Sequence, residues 1–185
     1  MPLADWQICQ AVDSVSLLTP FASIKQGSPS YGLQPFGYDI RLGRRFVFLD
    51  HPIPPQGYVS PNNKDPEQAA NLRVVEAEES LLLLPGEFVL AHSVEYFRMP
   101  SWLTGEVKDK STYARLGIAI QNTVIEAGWC GQLTLELSNH GPLPVALLCG
   151  LGIAQILFEG SPHVTAERPY DGKYQYQTGV TPSKA

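Results

Sequence analysis

From residue 72 onward this chain breaks into short apolar or alternating runs, at 72–76, 80–84, 87–92, 103–107, 117–121, 131–138, 143–148 and 151–158. Turn residues punctuate the series at Pro85-Gly86, Gly128, Gly141-Pro142 and Cys149-Gly150. Many short strands at this spacing, with little helix between them, restrict the fold to an all-β sandwich or barrel. Upstream, Tyr38-Asp39-Ile40-Arg41-Leu42 alternates and Arg45-Phe46-Val47-Phe48-Leu49 is apolar, which adds two more strands. Residues 3–26 are the best helical candidate, with Trp6, Ile8, Cys9, Val12 and Val15 near one-face spacing. His51 to Ala70 carries Pro52, Pro54, Pro55, Pro61 and Pro66 and little periodicity, and reads as a long irregular flap or inter-subunit arm. The stretch from Pro169 to Ala185 is polar and reads as a mobile closing segment.

A chain of 185 residues is most simply one domain, 1–185, able to bury roughly 70% of its unfolded surface. With 13 basic and 18 acidic residues the net charge is -5, so no global basic field draws in a nucleic acid. Cations that matter must be local, which favours a small anionic ligand. No apolar run approaches the ~20 residues that span a bilayer, so no membrane partner is expected. The start, Met1-Pro2-Leu3-Ala4-Asp5-Trp6, has neither the basic residues nor the apolar core of a secretion signal. Cys9, Cys130 and Cys149 are odd in number and widely spaced, which predicts buried reduced thiols in a cytoplasmic protein rather than a disulfide framework.

Two segments carry the chemistry. Lys110-Ser111-Thr112-Tyr113-Ala114-Arg115 packs two cations and two hydroxyls into six residues, a composition suited to gripping a polyanion such as a triphosphate. Downstream, Gln132-Leu133-Thr134-Leu135-Glu136-Leu137-Ser138-Asn139 puts Glu136 on the face of Thr134 and Ser138, with Leu133, Leu135 and Leu137 opposite. A carboxylate there, closed from water, has its pKa raised and can shuttle a proton. Gln155 is an amide inside an apolar strand and needs a hydrogen-bond partner. The four histidines and three cysteines are scattered, with no H-x-E and no C-x-x-C, so no zinc site of the base-deaminase type is expected. Neither a P-loop nor a dinucleotide fingerprint is present.

Taken in order, Lys110 to Gly117, the Gly-Trp-x-Gly turn at 128–131, Leu133 to Asn139, Gly-Ile-Ala-Gln at 152–155 and Gly-Lys-Tyr-Gln-x-Gln at 172–177 resemble the dCTP deaminase family. Tyr38 to Arg41 and Val94 to Arg98 fit it too, so the likeness runs over roughly residues 30–182. The resemblance implies a mainly β, distorted barrel or jelly-roll fold of the dUTPase type, with a short N-terminal helix. It also implies a homotrimer with active sites between subunits. Mg²⁺ would be carried by the substrate triphosphate, with no zinc. The implied reaction is hydrolytic deamination of dCTP to dUTP and ammonia, supplying dUTP for dUMP and dTMP synthesis. By that likeness Glu136 is the catalytic residue, and Lys110, Ser111, Thr112, Tyr113, Ala114 and Arg115 hold the triphosphate. Thr134 and Leu135 line the nucleoside pocket, Glu126 contacts the sugar region, and Gln155, Tyr170, Lys173 and Gln177 touch the nucleotide. The resemblance allows dTTP as a feedback ligand.

The chain departs from the family pattern at three points. Asp109 stands where glycine is usual, Ala127 replaces a frequent proline, and Tyr176 replaces a frequent glycine. None removes a group the chemistry needs. Two other readings remain open at this stage: a bifunctional relative that releases dUMP and pyrophosphate, and a regulator that binds the nucleotide without turning it over.

Overall fold

The computed structural model describes residues 1–50, 71–121 and 123–184. The proline-rich 51–70 segment, expected to be a flap or arm, lies outside the described residues. The fold opens with helix α1 (Asp5–Val15), much shorter than the 3–26 span the spacing predicts. Ser16 takes a left-handed conformation (φ 55°) and its N–H closes on the Val12 carbonyl at 2.9 Å, which ends the helix. Leu17 and Leu18 then bury themselves as the start of β1 (Leu18–Thr19). The helix turns Ile8 and Ala11 inward, whereas Trp6 stays 65% exposed. Trp6 and Ile8 are two positions apart, about 200° around the axis, so both cannot face the core.

The remaining elements are β2 (Gly32–Leu33), β3 (Tyr38–Arg41), β4 (Arg45–Asp50), β5 (Asn71–Glu76), β6 (Ser80–Leu83), β7 (Phe88–Arg98), β8 (Leu103–Asp109), the one-turn α2 (Ser111–Ala114), β9 (Ile118–Ile120), β10 (Val124–Ile125), β11 (Cys130–Asn139), β12 (Val145–Leu148) and β13 (Gly152–Gly160). Each run read from alternation is a strand, and the expected mainly β fold is the one the chain adopts. One sheet is ordered β5-β4-β7-β11-β9, with β1 on β7; a second is β10-β8-β13-β3-β2; β12 and β6 form a hairpin pair. The inward faces of both sheets merge into one apolar core, where Phe97 of β7 meets Phe158 of β13 with ring centroids 6.5 Å apart.

The sheets are also joined by charge. Glu95 of β7 is fully buried and accepts the Arg41 Nε at 2.7 Å and the Arg41 backbone N–H at 2.9 Å. A buried pair with these extra hydrogen bonds satisfies groups that would be costly if left alone. Asn139, at the end of β11, donates to the Leu83 and Leu143 carbonyls and accepts the Gly141 N–H, all at 2.9 Å. The cysteines are free, and only half-buried rather than fully buried as expected. No helix among the described residues is long and apolar enough to cross a membrane.

Candidate active site

Strand β11 builds the site. Its residues alternate between half-buried and buried along the whole length, with Leu133, Leu135 and Leu137 inward. Glu136 therefore faces outward, opposite Leu90 of β7, into a cavity of about 580 Å³. Aliphatic and aromatic groups dominate its walls, among them Leu49, Leu72, Phe88, Leu90, Trp129 and Leu133. Burial in this setting pushes the Glu136 carboxyl above the ordinary glutamate range, against a smaller opposing contribution from its own backbone N–H. No ion pair to Glu136 occurs among the described residues. A carboxyl so placed can take a proton from water and return it at moderate pH.

The chain after β13 closes the other side of the cavity. The first half of β11 has a free edge, because β9 covers only Leu137, Ser138 and Asn139. Residues 175–181 fill that edge. Gln132 donates its N–H to the Gln177 carbonyl at 2.9 Å, and the Gln177 amide returns a bond to the Gln132 carbonyl at 2.9 Å. Gly179 donates to Gln132 Oε1 at 2.8 Å, and the Thr181 N–H donates to the Thr134 hydroxyl at 3.1 Å. Upstream, the Trp129 indole donates to the Tyr174 carbonyl at 2.9 Å, and the Cys130 N–H to Gln175 Oε1 at 2.7 Å. Gly128 (φ 86°) lets this crossing occur, since a Cβ there would come 2.5 Å from Pro169.

Of the residues singled out in the sequence, Glu136, Glu126, Thr134, Tyr170 and Gln177 line this cavity together. Leu135 does not: it is 1% exposed and faces the core on the opposite side of β11. Tyr174, within the 172–177 motif, lines it too, whereas sequence reasoning passed over Thr181 and Ser183 as well as Phe88, Leu90 and Thr123, which also line it. Their one available signal was the apolar alternation of β7; a tail that folds back gives none. Burial pushes the Tyr174 hydroxyl up, but the Lys184 N–H, the Ser183 side chain and the Lys173 and Lys184 ammonium groups outweigh it and lower it overall.

The second cluster stands apart from the cavity, none of its members among the lining residues. Ser111, Thr112, Ala114 and Arg115 are exposed on and just after α2. Lys110 is withdrawn from water and its ammonium pairs with the Asp39 carboxylate of β3. Tyr113 is 3% exposed, and its hydroxyl accepts the Leu148 N–H at 2.9 Å, so it anchors the turn to β12. Gln155 sits on β13 directly across from Asp39, and its amide finds its partner in the Phe36 carbonyl at 3.4 Å. Lys173 is exposed on the returning segment, its ammonium 5.4 Å from the Tyr174 ring centroid and bonded to the Lys184 carbonyl. Asp109 accepts the Ile120 N–H at 2.8 Å, so this departure from the family pattern ties β8 to β9. Among the described residues no three His, Cys, Asp or Glu side chains gather where they could hold a metal ion.

A family model described as dCTP deaminase-like matches residues 3–161. The dCTP deaminase of Campylobacter jejuni (strain RM1221) is 39% identical over 170 residues, covering 89% of this chain and 88% of its own. That of Roseiflexus castenholzii is 38% identical over 172 residues, covering 91% and 90%. Among solved structures, the 2'-deoxycytidine 5'-triphosphate deaminase from Agrobacterium tumefaciens superposes with a TM-score of 0.65 at 23% identity, over 86% of this chain. The chain spans about half the length of that solved protein (48%), and at this identity the likeness speaks for the fold.

Proposed function

The chain belongs to the dCTP deaminase-like family and is an enzyme of dCTP deamination, and from that premise we propose how its two clusters divide the work. The carrying observation is Glu136: a carboxyl lifted by burial, without a paired cation among the described residues, on the wall of a cavity able to take a pyrimidine nucleoside. The ionised Glu136 removes a proton from water, and the hydroxide forms a bond to C4 of cytosine as N3 takes up a proton. Glu136 passes that first water proton to N3, then takes the proton of the C4 hydroxyl and delivers it to the amino nitrogen, and the C4–N bond breaks as the C4 carbonyl forms. Ammonia leaves and dUTP remains, with every proton accounted for by one water and one carboxyl. Thr134 and Gln177 supply polar contacts that orient the nucleoside, Tyr170 supplies an aromatic wall, and Glu126 stands at the sugar.

The triphosphate falls to Ser111, Thr112 and Arg115, whose side chains are exposed. Mg²⁺ bound to the triphosphate would offset its charge. Since these residues do not line the cavity of their own chain, a neighbouring copy supplies them in the homotrimer that the family resemblance implies, where head-to-tail contacts close into a ring. Lys173 and the returning 169–184 segment seal the nucleotide from water. Three free thiols suit a reducing, cytoplasmic location.

Incubation of metal-stripped protein with dCTP and Mg²⁺, resolving nucleotides while assaying ammonia and pyrophosphate, tests the proposal. Ammonia with dUTP is the expected result. Ammonia with dUMP and pyrophosphate would replace it with the bifunctional reaction. Tight dCTP binding without ammonia would replace it with a regulatory role.

A further inference from the structure

The turn that carries Ser111, Thr112 and Arg115 is fastened from several sides. Asp109 before it holds Ile120, Tyr113 within it holds Leu148, and Gly117 after it lies so close to Gly141 that a Cβ would come 2.5 Å from the Gly141 Cα. The first residue of the segment is the pivot. The Lys110 carbonyl accepts the N–H groups of both Tyr113 and Ala114 at 3.0 Å, so the turn starts from its backbone. Its side chain runs the other way, to Asp39 of β3, and the two charged ends are 10% and 7% exposed. The route is walled: at Gly152 of β13 a Cβ would collide with the Ser30 carbonyl and stand 3.3 Å from Lys110 Cε.

A lysine that binds phosphate directly needs its ammonium open to the ligand. Lys110 has its ammonium committed to the Asp39 carboxylate, while Ser111, Thr112 and Arg115 that follow are exposed to water. The pair's presence is not in itself a sign of a stabilising role, because buried ion pairs can often be replaced by apolar groups without loss. What an apolar pair cannot reproduce is a directional tether between the start of the turn and a strand of the second sheet. We infer that Asp39 is a positioning residue for triphosphate binding: it anchors Lys110, and through Lys110 sets the direction in which Ser111, Thr112 and Arg115 are presented. Lys110 is then an anchor and not itself a phosphate ligand. The inference rests on reading the Lys110–Arg115 segment as the triphosphate-binding half of the site.

The test uses the full chain with Asp39→Asn, Lys110→Met and the double variant, following melting temperature, kcat and KM for dCTP, and calorimetric binding of dCTP and of inorganic tripolyphosphate. Asp39→Asn strands a buried ammonium, so it lowers the melting temperature and raises KM about tenfold with kcat nearly unchanged. The double variant removes both charges; it recovers the melting temperature while KM stays high. Recovery of KM together with stability would reduce the pair to a structural role and overturn the inference. An unchanged or lower KM in Asp39→Asn, with a raised KM in Lys110→Met, would overturn it in favour of Lys110 as a direct ligand. Wild-type protein that binds neither dCTP nor tripolyphosphate would overturn the functional reading, and this inference with it. Wild-type turnover with unaltered variants would overturn only the role of Asp39.

Discussion

Lys110 and Glu136 are both charged side chains partly or wholly withdrawn from water, and the fold treats them in opposite ways. Lys110 meets Asp39 and is neutralised in place. Glu136 has a cavity of mostly apolar side chains around it and no ion pair among the described residues, and burial raises its carboxyl. A buried charge that is paired resists change, because separating it exposes a large desolvation penalty. A buried charge left alone answers by shifting its pKa, which leaves it able to exchange a proton under mild conditions. One arrangement makes an anchor and the other makes a base, from the same physics.

The sharpest way to break that contrast is Glu136→Gln, which keeps shape and removes the proton acceptor. Ammonia release should fall by about 10²–10⁴-fold, while dCTP binding, read by calorimetry, persists. Substantial residual turnover would remove Glu136 from its role. Arg115→Ala acts on the other cluster and deletes a charge-assisted hydrogen bond of about 1.5–3 kcal/mol. That corresponds to about a 10- to 150-fold rise in KM. An unchanged KM would detach Arg115 from the phosphates. The two variants can also be mixed: if each site takes Glu136 from one copy and Arg115 from another, random reassembly restores about a quarter of the sites. No recovery after verified subunit exchange would place both residues in a site within one chain.

The contrast also has a pH signature. The reaction needs Glu136 ionised, so kcat/KM falls on acidification through a pKa above the usual glutamate range. Stability runs the other way. A group whose folded pKa is raised favours the fold when protonated; that contribution is complete below the unfolded pKa and is lost as pH rises through the folded one. Glu136→Gln should therefore melt with wild type in acid and above it at neutral pH. Equal melting curves at both would mean that Glu136 is solvated.

Much of this was legible in the sequence, and what was not has identifiable causes. The period-two pattern of β11 placed Glu136 opposite its leucines, because a strand admits no other assignment. The longer strands of both sheets were visible for the same reason, whereas the two-residue β1, β2 and β10 were not. The Lys110–Asp39 pair was not, since 71 residues separate its partners and burial is a tertiary property. The helix was read too long because Leu17 and Leu18 continue an apolar run that the core uses as a strand. Leu135 was placed at the nucleoside by resemblance, yet the same alternation that exposes Glu136 sends Leu135 inward. Thr181 and Ser183 escaped notice because a polar terminus carries no periodic signal of what it folds against.

The smallest predicted effect concerns the segment that covers Glu136. Tyr176 adopts φ 61°, a left-handed conformation that costs a residue with a Cβ about 1–2 kcal/mol. Its ring contributes little in return, being 69% exposed. The backbone must nevertheless turn there, because the Tyr176 N–H reaches the Cys130 carbonyl at 2.8 Å while the neighbouring Gln175 and Gln177 both bond to β11. Glycine, frequent at this place in the family pattern, takes the same φ without strain but loses more entropy on ordering. Tyr176→Gly should thus favour the docked segment by about 0.5–1 kcal/mol. Limited proteolysis between residues 172 and 184 would slow by about two- to fivefold. Faster cleavage would mean that the Tyr176 ring holds the segment down by contacts stronger than its exposure indicates. In that case the cover over Glu136 would depend on side-chain packing more than on backbone conformation.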